Sequence, residues 1–306
     1  MPLWAFLLCF VVAGFWAFSP ILIARGRAMC GCSLEEVNPF RSVSFFVTAL
    51  VIALVLNGGA LHFTTDLRAI FSIFAAVIFG YVIGDLLCFA AIKELGVSLA
   101  MPVSNLHPVL IPFTTLLLVG EPVSGRLITG ILIVMSGLVL LNFDGKSSLS
   151  DIKSLPFFRM FRGVATAFAA ALSWSLAAPF TKLGIIYSGL GPVDFTFNKS
   201  IAFLVAAWGV RLWRVRFRPE GLVPLRSVPL KVVVCFAVAA SVGLCLGSEF
   251  QVLCYKTIPV AVVMAITSTS PFIAALYGHF VLKNTLNRIQ WTGIALTIAG
   301  SVIVAL

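Results

Sequence analysis

Residues Met101 to Pro108 read Met-Pro-Val-Ser-Asn-Leu-His-Pro, inside an apolar run that is otherwise long enough to cross a bilayer. A second stretch, Met264 to Pro271, reads Met-Ala-Ile-Thr-Ser-Thr-Ser-Pro. Proline removes a backbone N–H donor and clashes with the preceding turn, so both prolines are predicted to open or kink their helices. In lipid, backbone groups freed in this way are tolerated only where they face protein, water or a ligand. The two stretches therefore predict a pair of interrupted helices around a site within the membrane.

The composition of the chain excludes a large soluble domain. Of the 306 residues, 60% are hydrophobic and only 10% are charged, whereas roughly 25% of the residues in soluble domains are charged. The formal net charge of +10 would suggest nucleic acid as a partner of a soluble protein. Here the basic residues lie at the ends of apolar runs, where they orient a protein in the membrane. We therefore expect membrane lipid around the chain and no nucleic-acid partner.

Apolar runs bounded by Gly, Pro, Asn or charged residues predict an all-α polytopic membrane protein with ten transmembrane helices. The first run contains no Lys or Arg before its end near Ile23, so we interpret it as a spanning helix rather than a signal peptide. We expect a multi-pass protein of the plasma (inner) membrane. The predicted spans are residues 3–24, 41–57, 67–90, 97–119, 125–143, 161–183, 195–213, 230–253, 259–282 and 288–306.

The two halves of the chain resemble each other in sequence. Because each half holds five spans, an odd number, the second half enters the membrane upside down, which predicts two inverted five-helix repeats. The predicted repeats are residues 1–143 and 161–306, joined by the segment 144–160. In the later helices of each half, the matches at an offset of 163 are Gly80 with Gly243, Gly84 with Gly247, Lys93 with Lys256, Met101 with Met264, Pro108 with Pro271, Gly130 with Gly293 and Gly137 with Gly300. In the first two helices of each half, an offset of 158 pairs Trp16 with Trp174, Ser42 with Ser200 and Arg41 with Lys199.

The first half also resembles a known family. The segment from Gly84-Asp85 to Gly120-Glu121, with Gly96-Val97-Ser98-Leu99-Ala100, Pro102 and Pro108, is similar to the fourth-helix region of EamA-type proteins of the drug/metabolite transporter superfamily. The positions of Arg41, Trp16 and Trp174 fit the same family. The resemblance implies ten helices around a central cavity lined by the third, fourth, eighth and ninth helices. Lys283-Asn284 stands where the first half has Gly120-Glu121, so Glu121 is not expected to have a symmetric role.

Three ionisable residues within predicted spans are candidates for solute binding, because a charged group at mid-membrane costs roughly 2.5–3.5 kcal/mol. Asp85 and Glu249 lie deep in the third and eighth spans, and His107 precedes Pro108. Our hypothesis is that one or both acids bind a cationic group or a proton, and that His107 supplies a group able to change charge near neutral pH. The alternative is structural: each acid is simply hydrogen-bonded to a neighbour, such as Gln251.

A second layer of candidates consists of short polar side chains near the two prolines and two tryptophans. The short side chains either contact a solute or bond the carbonyl one turn earlier in their own helix. The tryptophans are predicted to form cavity walls, with an interfacial position as the alternative. Four basic residues, Arg41, Lys93, Lys199 and Lys256, are predicted to reach the interface, although Arg41 and Lys199 could instead pair with acids. The second-layer candidates are Ser104, Asn105, Gln251, Thr267, Ser268, Ser270, Trp16 and Trp174.

The sequence contains no Gly-rich phosphate loop, no metal-ligand set and no nucleophile with a base at recognisable spacing. We therefore predict no enzymatic activity, no cofactor and no metal. The seven cysteines do not form a disulfide framework. Five lie within apolar runs, where Cys acts as a small hydrophobe, and Cys30-Gly-Cys32 has one intervening residue rather than the two or more usual for a metal site, so neither a disulfide nor a metal is expected there. The five are Cys9, Cys88, Cys235, Cys245 and Cys254. Basic residues concentrate on the odd-numbered loops, which predicts termini outside the cytosol, whereas the family resemblance implies the opposite orientation.

The sequence thus predicts a secondary transporter that moves a small organic solute, a metabolite, by alternating access. Proton coupling and exchange both remain open, and the alternative function is a scaffold or a channel. Substrate, direction of transport and oligomeric state are not predicted.

Overall fold

The computed structural model describes residues 1–141, 156–217, 223–281, 283 and 285–306. Within these ranges the backbone is helical or forms turns between helices, and it contains no β-strand. The predicted all-α class is confirmed for this part of the chain. Most of the predicted connecting segment 144–160 lies outside the described residues, and the helix that follows it begins at Phe157, four residues before the predicted span.

Ten helical rods follow one another along the described residues. The first five are α1 (Leu3–Cys30), α2 (Leu34–Leu56), α3 (Leu67–Leu95), α4 (Val97–Ser104 and His107–Val119) and α5 (Gly125–Leu141). The second five are α6 (Phe157–Ser188), α7 (Pro192–Phe217), α8 (Leu230–Thr257), α9 (Val260–Thr267 and Ser270–Phe280) and α10 (Arg288–Ala305).

Eight of these rods are long and apolar enough to cross a membrane. Helix α5 is apolar but has only 17 residues. Helix α7 has 26 residues and is not among the eight, because Asp194, Lys199 and three arginines interrupt its apolar sequence. The charged side chains of α7 therefore raise the question of which groups surround them within the bundle.

The turn between α1 and α2 is tighter than the predicted spans suggested. Gly31, in the left-handed region at φ 67°, ends α1. Ser33 caps α2, and its backbone N–H donates to Glu36 Oε2 at 2.6 Å, which completes a capping box. These two signals explain why α1 extends to Cys30 and α2 begins at Leu34. A disulfide joins Cys30 and Cys32 across this turn, so the expectation of no disulfide at Cys30-Gly-Cys32 is wrong.

Helices α3 and α8 each contain a π-helical segment. The segments are Ile78–Gly84 in α3 and Ala240–Leu246 in α8, and each has seven residues. Asp85 follows directly after the first segment, and Glu249 lies three residues after the second. Because π-helical segments are frequent at functional sites, they draw attention to the same two helices as Asp85 and Glu249.

Helices α5 and α10 contact each other with almost no side chains between them. A Cβ built on Gly137 would lie 2.6 Å from Gly293 O, and one built on Gly130 would lie 3.1 Å from Gly300 O. Small residues permit this close backbone approach in membrane helices. The glycines at seven-residue spacing are therefore packing residues, as the sequence predicted.

The centre of the bundle is built where α2 packs on α7. The rings of Phe45 and Phe203 are 6.4 Å apart, and those of Phe46 and Phe197 are 5.9 Å apart. Helix α3 packs on α6, and α1 packs on α8. The two halves of the chain thus meet along several helices, and the buried polar residues described next lie between them.

Candidate functional site

Asp85 forms an ion pair inside the bundle. Its Oδ2 lies 3.5 Å from Arg41 Nη1, and its Oδ1 accepts a hydrogen bond from Trp174 Nε1 at 3.3 Å. The same guanidinium nitrogen donates to Asn38 Oδ1 at 2.9 Å. Arg41 is only 6% exposed, so its prediction as an interfacial residue is wrong and the alternative of an ion pair with an acid is correct. The carboxylate of Asp85 is therefore already balanced by a cation.

A second buried cation, Lys199 on α7, lies against the ring of Tyr81. Its Nζ is 5.2 Å from the centre of the Tyr81 ring, and the residue is 4% exposed. The prediction that Lys199 reaches the interface is therefore wrong. The hydroxyl of Tyr81 lies 3.5 Å from Ser248 Oγ, while its backbone carbonyl accepts from Asn38 Nδ2 at 3.4 Å. The ring of Tyr81 thus contacts Lys199, and its carbonyl is linked to Arg41 through Asn38.

The site residues Trp16 and Trp174 occupy matching places. A Cβ on Gly84 would lie 2.3 Å from Trp174, and one on Gly247 would lie 2.9 Å from Trp16. Trp174 Nε1 also donates to Gly80 O at 3.0 Å, within the π-helical segment of α3. Each indole therefore fills the space beside a glycine of the opposite half. The glycines make that close approach possible because they have no side chain.

Removing the indole donor of Trp174 should weaken the fold. In Trp174→Phe a ring still covers Gly84, but Gly80 O and Asp85 Oδ1 each lose a partner. We expect a loss of about 1–3 kcal/mol, the cost of leaving buried polar groups unpaired. Unfolding by SDS in mixed micelles would measure it, with Trp4→Phe as the control because Trp4 is 48% exposed. Equal stability of the two variants would contradict the role assigned to the indole N–H.

The break in α4 contains two buried polar side-chain atoms. The first part ends at Ser104, Asn105 and Leu106 form the turn, and His107 starts the second part. Ser104 Oγ and His107 Nδ1 are buried and have no hydrogen-bond partner among the described residues. The His107 ring lies edge-to-face against Trp174, with 5.6 Å between the ring centres. Ser104 also lies beside the Cys88 thiol. Because buried polar atoms are normally paired, the break in α4 is a candidate place for contact with a ligand.

The polar side chains of α8 and α9 are mostly satisfied within their own helices. Thr267 and Ser268 donate to carbonyls three residues earlier, at 3.4 and 2.7 Å. Gln251 donates to Tyr255 Oη at 2.9 Å. For these three residues the geometry fits the structural alternative, and their contact with a solute stays a prediction. Ser270 begins the second part of α9, with Pro271 behind it.

Glu249 is placed differently from Asp85. It has no basic side chain within ion-pair distance in the part of the chain that the structure describes, and its Oε1 lies 3.9 Å from Cys245 Sγ. It is partly exposed. Gln251 is not its partner, contrary to the structural alternative considered for it.

Glu121 links the end of α4 to the start of α9. Its Oε2 accepts from Val260 N at 2.8 Å, and its Oε1 lies 3.8 Å from Lys182 Nζ. The ammonium of Lys182 also donates to Tyr255 O. Burial raises the pKa of the Glu121 carboxyl above its usual value, against the opposing effects of Val260 N–H and Lys182. Sequence reasoning noticed Glu121 only for its missing counterpart in the second half.

Two substitutions at Glu121 separate its charge from its hydrogen bond. Glu121→Gln keeps an acceptor for Val260 N–H and avoids burying a charge, while Lys182 keeps Tyr255 O. We expect a loss below about 1 kcal/mol for Glu121→Gln and about 1–2 kcal/mol for Glu121→Ala, as for a lost helix cap. Thermal unfolding in detergent would rank the variants. Equal losses in the two variants would show that the ion pair, which both remove, and not the cap, matters.

No group of three or more His, Cys, Asp or Glu residues that could hold a metal ion occurs within the described ranges.

A cavity of about 10 Å³ lies beside Asn38, between α2, α3 and α7, and has room for about one water molecule. Its other lining residues are Val82, Leu86, Ala207 and Val210.

Comparison with known proteins gives consistent results for sequence and fold. The family model described as the EamA-like transporter family matches twice, over residues 3–143 and 161–306. A protein of Archaeoglobus fulgidus described as an uncharacterized transporter is 24% identical over 276 residues, which cover 89% of this chain and 87% of that protein. A solved crystal structure superposes with a TM-score of 0.74 at 16% identity, over 99% of this chain and 98% of the other. At that identity the structural match shows the fold alone.

Proposed function

The chain belongs to the EamA-like transporter family, a multi-pass membrane protein family, and from that premise we propose that it is a carrier. It moves a small organic solute, a metabolite, across the plasma membrane by alternating access. The solute contacts the polar residues between the two halves, around Asp85, Tyr81 and the interrupted helices α4 and α9. The two halves act as inverted five-helix repeats.

The observation that carries this proposal is the exchange of contacts between the halves. Gly84 contacts Trp174, and the residues at the matching positions, Gly247 and Trp16, contact each other. Phe45 contacts Phe203, its own counterpart at an offset of 158. Such reciprocal contacts support a pseudo-two-fold axis in the membrane plane, which lets two conformations interconvert by exchanging the roles of the halves.

A two-step experiment tests the proposal on the full-length protein. A thermal-shift screen of metabolites in detergent first selects solutes that stabilise it. Reconstituted proteoliposomes are then loaded with an unlabelled solute from the screen, and uptake of the labelled solute is followed. A carrier gives counterflow that saturates with solute concentration. Flux without saturation or exchange would indicate a channel, and no flux at all would favour a scaffold.

Coupling to protons is tested by neutralising the two acids. If Asp85 or Glu249 carries a proton across the membrane, Asp85→Asn and Glu249→Gln should abolish uptake driven by a pH gradient. Counterflow at equal pH on both sides should survive in Glu249→Gln, because its carboxylate has no cation to leave unpaired among the described residues. Unchanged pH-driven uptake in both variants would discard proton coupling through these acids.

A further inference from the structure

Lys199 carries a buried charge without an acid beside it. It is 4% exposed on α7, and no Asp or Glu lies within 4 Å of its Nζ in the part of the chain that the structure describes. The nearest interaction is with the face of Tyr81, at 5.2 Å. Such a face attracts a cation only weakly compared with a carboxylate. Burying a charge is costly unless it is paired, so this position calls for an anion.

The first half shows how the same position is balanced. Lys199 corresponds to Arg41 at an offset of 158, and Asp85 corresponds to Ser248 at an offset of 163. Arg41 has Asp85 as its counter-ion, at 3.5 Å. The second half keeps the cation but replaces the acid by a serine, which is 1% exposed and lies beside the Tyr81 hydroxyl. The sequence difference therefore falls on the one group that would neutralise Lys199.

The acid that follows Ser248 does not take this role. Glu249 is turned about 100° around the helix from Ser248, and its carboxylate contacts Cys245 Sγ. Two hydroxyls do lie at this position, because the ring of Tyr81 contacts Lys199 and its hydroxyl is 3.5 Å from Ser248 Oγ.

From this arrangement we propose that Lys199, with the hydroxyls of Tyr81 and Ser248, binds the carboxylate group of the transported solute. The proposal rests on the proposed function and adds a chemical class, the monocarboxylates. A single ammonium matches a single negative charge. A phosphate dianion is usually held by the fork of an arginine or by several cations, and Arg41 is already engaged by Asp85 and Asn38. Asp85 therefore serves to neutralise Arg41, so that Lys199 is the cation left for the solute.

The probes are small carboxylates and their uncharged counterparts. Purified full-length protein is titrated with acetate, pyruvate, benzoate and the neutral L-amino acids, each compared with its amide, and the melting temperature is recorded. The variants are Lys199→Gln and Lys199→Arg, with Lys256→Gln as control because Lys256 is exposed at the end of α8. We expect at least one carboxylate, and not its amide, to stabilise the wild type. Lys199→Gln should need about 10- to 100-fold more of it, as for a lost charged hydrogen bond, whereas Lys199→Arg should recover part of the affinity.

The variant without ligand gives a second reading. If Lys199 serves a solute, Lys199→Gln should be at least as stable as the wild type, because it no longer buries an unpaired charge. A destabilised Lys199→Gln that is restored by adding Glu249→Gln would overturn the proposal, since it would mean that the lysine pairs with Glu249. Stabilisation by no carboxylate, or by carboxylate and amide alike, would also overturn it.

The outcome for the site is separable from the outcome for the carrier. If a carboxylate binds through Lys199 but never crosses the proteoliposome membrane, the proposed carrier function is wrong and the carboxylate site is correct. If a solute shows counterflow with unchanged affinity in Lys199→Gln, the carrier function is correct and the carboxylate site at Lys199 is wrong.

Discussion

Arg41→Met should cost the folded protein about 3–5 kcal/mol, the penalty for leaving one member of a buried ion pair without its partner. In the wild type the guanidinium lies 3.5 Å from Asp85 Oδ2 and donates to Asn38 Oδ1. Methionine fills much of the same volume but supplies no charge. Among the described residues, the carboxylate of Asp85 then keeps the Trp174 indole alone as a donor. Unfolding by SDS in mixed micelles measures the loss.

The double variant Arg41→Met/Asp85→Leu distinguishes charge from packing. Replacing both members of a buried pair by apolar residues is often neutral or even stabilising, so we expect the double variant to recover most of the lost stability. Arg68→Met is the control, because its ion pair with Asp66 is on the surface, where Arg68 is 71% exposed, and such pairs contribute little. If the double variant is as unstable as Arg41→Met, the pair itself is not what holds α2 to α3.

The second large effect is expected at the contact between α5 and α10. In Gly137→Ala the new methyl group would lie 2.6 Å from Gly293 O and 2.7 Å from Thr297 N. Backbone atoms cannot rotate away as a side chain can, so the two helices must separate. We expect a loss at or above the roughly 1–3 kcal/mol typical of overpacking, seen as a lower melting temperature and less folded protein in the membrane fraction.

Two further variants test that explanation. Gly14→Ala is the matched control, because a Cβ on Gly14 in α1 meets no atom within 4 Å, and alanine favours the helix by roughly 1 kcal/mol. It should be neutral or stabilising. Gly137→Ala/Gly293→Ala should cost less than the sum of its two single variants, since one separation of the helices accommodates both methyl groups. Strict additivity would contradict a shared contact.

The sequence predicted the fold where apolar length and proline placement act locally. The interruptions of α4 and α9 lie immediately before the His107-Pro108 and Ser270-Pro271 pairs, where proline was expected to open the helix. The fold class could be predicted because long apolar runs leave few alternatives, and the family because residues 84–121 resemble it. The ends of α1 and α2 could not, because a glycine at positive φ and a capping box set them, not hydropathy.

The π-helical segments and the buried cations were missed for a different reason. A π-helical turn has more residues than an α-helical turn, so it changes which side chains face the bundle. It does not change the hydropathy of the segment, and residues 78–84 therefore carry no sequence signal for it. Lys199 and Arg41 were expected at the interface because they lie near predicted span ends. Arg41 and Lys199 occupy matching sequence positions at an offset of 158, and each lies seven residues inside its helix rather than at the end. That match is the signal that could have identified both residues as buried.

The glycine contact between α5 and α10 has a mechanical consequence. Helices α5 and α10 have no layer of side chains between their backbones that could slide or repack, so they should move together as one rigid unit. Any rocking of the remaining helices must be absorbed elsewhere, and the interrupted rods α4 and α9, which pack beside it, are the joints best able to bend. Making the breaks in α4 and α9 rigid should therefore prevent the two halves from moving relative to each other, whereas the α5–α10 contact stays fixed throughout.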